Sequence, residues 1–204
     1  AYGGMACDER SFAFVQPAPG KGVKLEETTV IMDADLTTSV REKLRLHDLF
    51  WGSLTLETAD LYNEGTVEMM KNTNNIRIVL QQMNGEPVKD KDFDFSITDD
   101  NTLFAASNND LLPNGTVTYT PWAQASTGIT DDGQEVIVAY AEFSTSRLMV
   151  KNSPKLIIRR ASDGNAVINI PLNNYLLLLK SELYEQMKPQ EFLDRESEWS
   201  LFFF

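Results

Sequence analysis

Apolar and polar residues alternate at period two along most of the chain, broken at intervals by glycine, asparagine, aspartate and proline. That is how antiparallel strands with one buried face read, because successive side chains leave a strand on opposite sides. Ile76-Arg77-Ile78-Val79-Leu80 and Phe93-Asp94-Phe95-Ser96-Ile97 each put their apolar residues on one face, and Asn84-Gly85 between them predicts a hairpin turn. The pattern recurs downstream. Thr116 to Tyr119 follows Pro113-Asn114-Gly115, and Val136 to Tyr140 follows Asp131-Asp132-Gly133. Lys155 to Arg159 is separated from Ala166 to Ile170 by Asp163-Gly164. Short strands repeated at such spacing predict a β-sandwich.

One segment departs from this period. Asn174 to Gln186 carries leucines at neighbouring and i+3/i+4 positions, with Lys180, Glu182 and Glu185 on the other side and Pro189 beyond, and so predicts a helix. Pro189 to Arg195 adds a further short helical turn before Trp199 to Phe204 returns to strand. The first sixty residues differ in texture, with a proline- and glycine-rich loop at Pro17 to Gly22, a strand candidate at Glu27 to Met32, and a charged stretch before Leu49-Phe50-Trp51. The last turn signal before the long strand that begins at Thr66 is Asn63-Glu64-Gly65. A boundary there divides the chain into 1–62, the later part of a first sandwich, and 63–204, a second one. Ala1-Tyr2-Gly3-Gly4 resembles the end of a strand, and the apolar end Leu201 to Phe204 would be poorly solvated on its own, so both sandwiches are expected to lack strands in this numbering.

With 204 residues, 42% of them hydrophobic, the chain can bury a substantial core without a metal or disulfide staple. A net charge of -12 repels phosphate backbones and anionic headgroups, and no stretch gathers the basic residues into a stripe, so nucleic acid is excluded as a partner. A single cysteine, Cys7, rules out an internal disulfide and a cysteine-rich zinc site. Gly4-Met5-Ala6-Cys7 has the small residues of a lipoprotein signal but not the basic start or apolar stretch upstream, which favours a plain thiol. No run reaches the ~18 to 20 apolar residues of a membrane-spanning helix.

Chemistry has little foothold. The lone histidine, His47, precedes Asp48, but adjacent strand residues face opposite ways and no G-x-S-x-G elbow supplies a nucleophile, so a structural histidine is the reading. The acids cluster at turns, Asp99-Asp100, Asp131-Asp132 and Asp163, where aspartate accepts bonds from the local backbone. A glycosidase-type pair of carboxylates on facing strands stays open at this level. Asp90, Asp92 and Asp94 alternate but lack the glycine and distal glutamate of an EF-hand, which allows a weak surface ion and nothing stronger. Asn114-Gly115-Thr116 fits the glycosylation pattern, though a turn explains it. Trp51, Trp122 and Trp199 fit a core or an interface better than a sugar platform. No phosphate loop, dinucleotide fingerprint or H-E-x-x-H occurs, and no catalytic, cofactor-binding or metal residue is singled out.

Several longer segments are more specific. Met69 to Leu80, Phe93 to Asn101, Ala139 to Leu148, Ile168 to Leu172 leading to Tyr175-Leu176-Leu177-Leu178, and Gln190 to Arg195 together resemble the fimbrillin-A-associated anchor family, the FimB/Mfa-type minor fimbrial subunits of Bacteroidales type V pili. The resemblance covers essentially the whole chain and is most specific in its last two-thirds. It implies a mostly β fold of two tandem transthyretin-like Greek-key β-sandwich domains, with a helix inserted before the last strand of the second. It also implies no enzyme activity and no cofactor. The implied role is anchoring or accessory, in fimbrial assembly and cell adhesion at the outer membrane. Other fimbrial subunits are the implied partners, joined by strand donation, and the membrane is reached through a lipid anchor upstream of this chain, so Cys7 inherits no anchoring part. The alternative reading is a surface carbohydrate-binding β-sandwich.

Overall fold

The computed structural model describes residues 1–5, 11–15, 20–33, 45–56, 62–129 and 135–204. In chain order the strands begin with β1 (Tyr2–Gly3), β2 (Phe12–Phe14), β3 (Thr29–Met32), β4 (Phe50–Trp51), β5 (Met70–Lys71), β6 (Thr73–Leu80) and β7 (Phe93–Asp99). They continue with β8 (Leu103–Ala105), β9 (Leu111–Leu112), β10 (Val117–Tyr119), β11 (Ala123–Ile129), β12 (Glu135–Ser146), β13 (Lys155–Arg160), β14 (Ala166–Pro171) and β15 (Glu198–Phe203). Two helices, α1 (Leu172–Leu178) and α2 (Pro189–Arg195), separate β14 from β15. The protein is mostly β, as the period-two pattern predicts.

Among the described residues the strands form four sheets, ordered β11-β12-β6-β15, β10-β7-β13-β14, β2-β3-β8-β9 and β1-β4-β5. Period two reads directly as burial. Ile76 and Ile78 of β6, Ala141 and Phe143 of β12, and Trp199 and Leu201 of β15 turn inward from the first sheet. Phe95 and Ile97 of β7 and Leu156 and Ile158 of β13 do so from the second, and all of them belong to one hydrophobic core. Each aliphatic side chain moved from water into such a core contributes about 1.5–3 kcal/mol, which is what fixes the register of the strands that carry them. Phe12, Val30, Phe104 and Leu111 extend the same core beneath the third sheet.

Three features of the chain path differ from the sequence expectation or extend it. Asn84-Gly85 does form a turn, with Gly85 N–H donating to the Gln82 carbonyl at 3.1 Å, but β6 and β7 lie in different sheets, so the segment is a crossover and not a hairpin. A turn signal reports local backbone shape and is silent on which sheet the next strand joins. Asp163-Gly164, by contrast, closes a true hairpin between β13 and β14. The helix expected over Asn174 to Gln186 begins earlier, at Leu172, and ends at Leu178. Ser181 is extended and only a 3₁₀ turn, Glu182–Tyr184, follows. Lys180 Nζ donates to the carbonyls of Glu185 and Met187, holding the chain in this bend. Finally, strands on either side of position 62 pair with one another: β3 with β8 and β4 with β5. The stretches 1–62 and 63–204 therefore share sheets.

Candidate functional site

The last strand has the most distinctive surroundings. Proline at the first turn of α2 starts that helix without sacrificing a bond, and the helix buries Phe192 and Leu193. The Phe192 ring meets Trp199 edge-on at 5.7 Å, while Trp199 Nε1 donates to Asn74 Oδ1 at 3.1 Å. These contacts set β15 beside β6 in parallel register. The Ser197 and Phe203 carbonyls accept from Asn75 N–H at 2.8 Å and Gln81 N–H at 3.0 Å. Because strand backbone groups alternate in direction, those of Glu198, Ser200 and Phe202 point away from β6. No described strand pairs with that side. Tyr175 of α1 covers only its end, donating its hydroxyl to the Phe202 carbonyl at 3.4 Å while its ring stacks on Phe203 at 5.2 Å. Phe202 and Phe204 are 55% and 76% exposed, and Leu178 and Leu183 on the neighbouring helical stretch are 79% and 83% exposed.

A buried polar cluster braces the other side of α2. Arg147, just past β12, forms a two-pronged pair with Asp194, both contacts at 2.8 Å, and donates a further bond to the Asn109 carbonyl. Asn109 is the one non-glycine among the described residues with positive φ, at 61°, a conformation that asparagine tolerates better than most. Its side-chain amide exchanges bonds with that of Asn72 at 2.7 and 2.9 Å. Tyr2 donates to Asn109 Oδ1 at 3.4 Å, and burial pushes the Tyr2 hydroxyl up to about 12 against the opposing pull of Arg147. Sequence reasoning missed this cluster. Its sole signal is the polar run Ser144 to Arg147 at the end of an otherwise apolar strand.

His47 and Asp48 do diverge. Ser11 Oγ accepts from the His47 N–H at 2.9 Å and lies 3.1 Å from its Nδ1, whereas Asp48 meets Thr73 at 3.2 Å and Lys71 at 3.3 Å. Ser11 is 2% exposed, and the serine and half-buried histidine tie the two segments together. Asp90 accepts from Ser126 Oγ at 2.6 Å, and among the described residues no group of three His, Cys, Asp or Glu could hold a metal ion. Trp199 is core. Trp51 and Trp122 are half-buried, Trp51 donating to the Ala106 carbonyl at 3.4 Å, and neither is an exposed platform. Asn114 donates to Thr102 Oγ1 at 2.9 Å in the connection between β9 and β10. Cys7 and Asp131-Asp132 lie outside the described residues. Asp99 is a further find. Its Oδ1 accepts from Asp100 N–H at 2.8 Å and Asn152 Nδ2 at 3.1 Å, its Oδ2 is buried without a partner among the described residues, and burial pushes the carboxyl up to about 6. No described helix is long and apolar enough to cross a membrane.

Among solved structures, an adhesin candidate from Bacteroides thetaiotaomicron is 63% identical with a TM-score of 0.89, covering 100% of this chain and 68% of its own. A second protein of that organism, described as a polysaccharide-binding candidate, has a TM-score of 0.75 at 23% identity, covering 100% of this chain and 67% of its own. The fimbrial anchor protein Mfa2 of Porphyromonas gingivalis has a TM-score of 0.61 at 10% identity, covering 94% of this chain and 62% of its own. The two distant likenesses bear on the fold alone, and the chain spans about two thirds of the length of each of the three. No curated protein matches. The model of the fimbrillin-A associated anchor proteins Mfa1 and Mfa2 matches residues 19–204, and the chain belongs to that family.

Proposed function

We propose that this protein is a non-enzymatic anchoring or accessory subunit of a type V pilus, exported as a lipoprotein to the outer membrane, where it joins other fimbrial subunits by strand pairing. Family membership supports a fimbrial role at the cell surface. The observation that carries the strand-pairing step is the outward row of β15 backbone groups flanked by exposed Phe202 and Phe204. Main-chain bonds along such an edge supply affinity, and the apolar side chains beside it supply a surface that water leaves readily. The sheet orders β10-β7-β13-β14 and β11-β12-β6-β15, with β15 parallel to β6, support a transthyretin-like arrangement for the later part of the chain.

The test replaces Ser200 with proline in the full-length protein. The Ser200 N–H points away from β6, so Ser200→Pro removes a donor from the open edge and spares the ladder inside the sheet. Co-purification with fimbrial subunits from cells is expected to fall sharply while thermal stability changes little. Unaltered co-purification by a folded variant refutes strand pairing at this edge.

A further inference from the structure

Among the described residues, a concavity that gathers spare positive charge lies between residues 87–93 and the end of β13, and its volume is about 560 Å³. Lys89, Lys91 and Arg160 line it together with Gln82, Ser162 and the half-buried Phe93. The register of β7 against β13 sets Arg160 directly opposite Phe93, and Ala161 N–H donates to the Asp92 carbonyl at 2.9 Å, so the two walls are tied together. The lysine-bearing turn is also clamped from behind. Ser126 Oγ accepts from Asp90 N–H and donates to Asp90 Oδ1, both at 2.6 Å, and Gln124 Nε2 donates to the carbonyls of Asp90 and Phe93 at 2.8 and 3.2 Å. Val88 is buried, which turns the flanking Lys89 outward.

The charge pattern is unusual for this chain. Thirty acids outnumber eighteen lysines and arginines, yet Asp92 is the one acid lining this concavity. Arg160 is paired with Asp163 at 2.9 Å, but neither Lys89 nor Lys91 has a carboxylate partner among the described residues. Two unpaired lysines on a braced turn, beside an amide, a hydroxyl and the exposed margin of half-buried Phe93, match the chemistry of a carboxylated sugar. The ammonium groups take the carboxylate, and Gln82 and Ser162 meet hydroxyl groups. The volume lies in the range of ligand clefts, ~300–1,000 Å³, and is several times what a simple inorganic anion fills. The overall charge of -12 argues against the extended polyanionic surfaces of nucleic acid or an anionic membrane.

We propose that this concavity binds a carboxylated saccharide, such as a uronic or sialic acid residue. The assignment takes the proposed cell-surface setting as its basis, but sugar binding and strand pairing are measured separately, so either can fail alone. The test is titration of the whole protein, followed by NMR or calorimetry, with a hexasaccharide alternating glucuronate and N-acetylglucosamine, with 3′-sialyllactose, and with lactose as the neutral control. At least one carboxylated probe is expected to bind about tenfold or more tightly than lactose, and the double variant K89A/K91A to lose about tenfold of that affinity at unchanged thermal stability. Raising salt to about 0.5 M is expected to weaken binding further, because the ammonium groups are exposed. Lys155→Ala, at the far end of β13, is expected to leave binding unchanged. Equal affinity for lactose, indifference to K89A/K91A, or inorganic sulfate binding as tightly as the hexasaccharide overturns the assignment.

Discussion

Asp99 offers the sharpest test of how burial shapes this protein. Its carboxyl sits at the end of β7 with one oxygen bonded and the other buried and unpartnered, next to Asp100 and Asn152, and burial lifts its pKa from 3.8 to about 6. A folded-state value above the unfolded one means that the protonated form is favoured by folding. The stability this group contributes is fully present below pH 4 and is lost as pH rises through about 6. A rise of roughly two pH units, at ~1.4 kcal/mol each, is worth up to about 3 kcal/mol. Asp99→Asn keeps the Oδ1 acceptor for Asp100 and Asn152 and removes the ionisation. The variant is therefore expected to gain on the native protein between pH 4.5 and 8, by about 2–3 kcal/mol in urea unfolding, or about 5–10 °C in Tm. Self-repulsion at net charge -12 grows with pH in both proteins, so the difference between them isolates Asp99. A difference that stays constant from pH 4.5 to 8 refutes the reasoning.

Arg147→Met is expected to cost about 3–5 kcal/mol in chemical denaturation, because it strands Asp194 in a mostly buried setting, and Arg147→Lys is expected to recover only part of this, since an ammonium cannot reproduce the two-pronged geometry. A loss below about 1 kcal/mol would show that water reaches Asp194 freely. Gly4→Ala and Gly164→Ala form a matched pair, both at positive φ, +85° and +69°. A Cβ at Gly4 would lie 1.8 Å from the Asp48 carbonyl oxygen while one at Gly164 meets nothing, so thermal melts should show a loss of about 1–2 kcal/mol for the second and several-fold more for the first.

What was legible in the sequence was what period two controls. Ile76 to Leu80, Phe93 to Ile97 and Lys155 to Arg159 lie within β6, β7 and β13, because a strand with one dry face must alternate. The proline-started α2 and the returning strand β15 were equally plain. The end of α1 was not, because Leu176 to Leu179 continues the helical pattern while Leu178 and Leu179 gain no core contact to hold it. Pairing of β3 with β8 and of β4 with β5 is a long-range choice, and a turn at Asn63 to Gly65 carries no information about it. The role of Arg147 was not legible, since nothing local announces that Asp194, 47 positions away, will bury beside it. The basic concavity was invisible for the same reason: Lys89 and Lys91 meet Arg160 only through the register of two strands.

The restraints around β15 bear on how an open edge can be useful. Trp199 is held by Phe192 and Asn74 near the start of the strand, and α2 behind it is held by Asp194 to Arg147. Tyr175 holds the far end through Phe203 and the Phe202 carbonyl. Ordering a free segment costs about 1–2 kcal/mol per residue, a cost already met by these contacts before any partner strand arrives. Pairing on this side would then order the incoming segment alone. Loosening the restraint at Phe192 would weaken pairing without touching a single group that the partner contacts, whereas Tyr175 also occupies the outward Phe202 carbonyl.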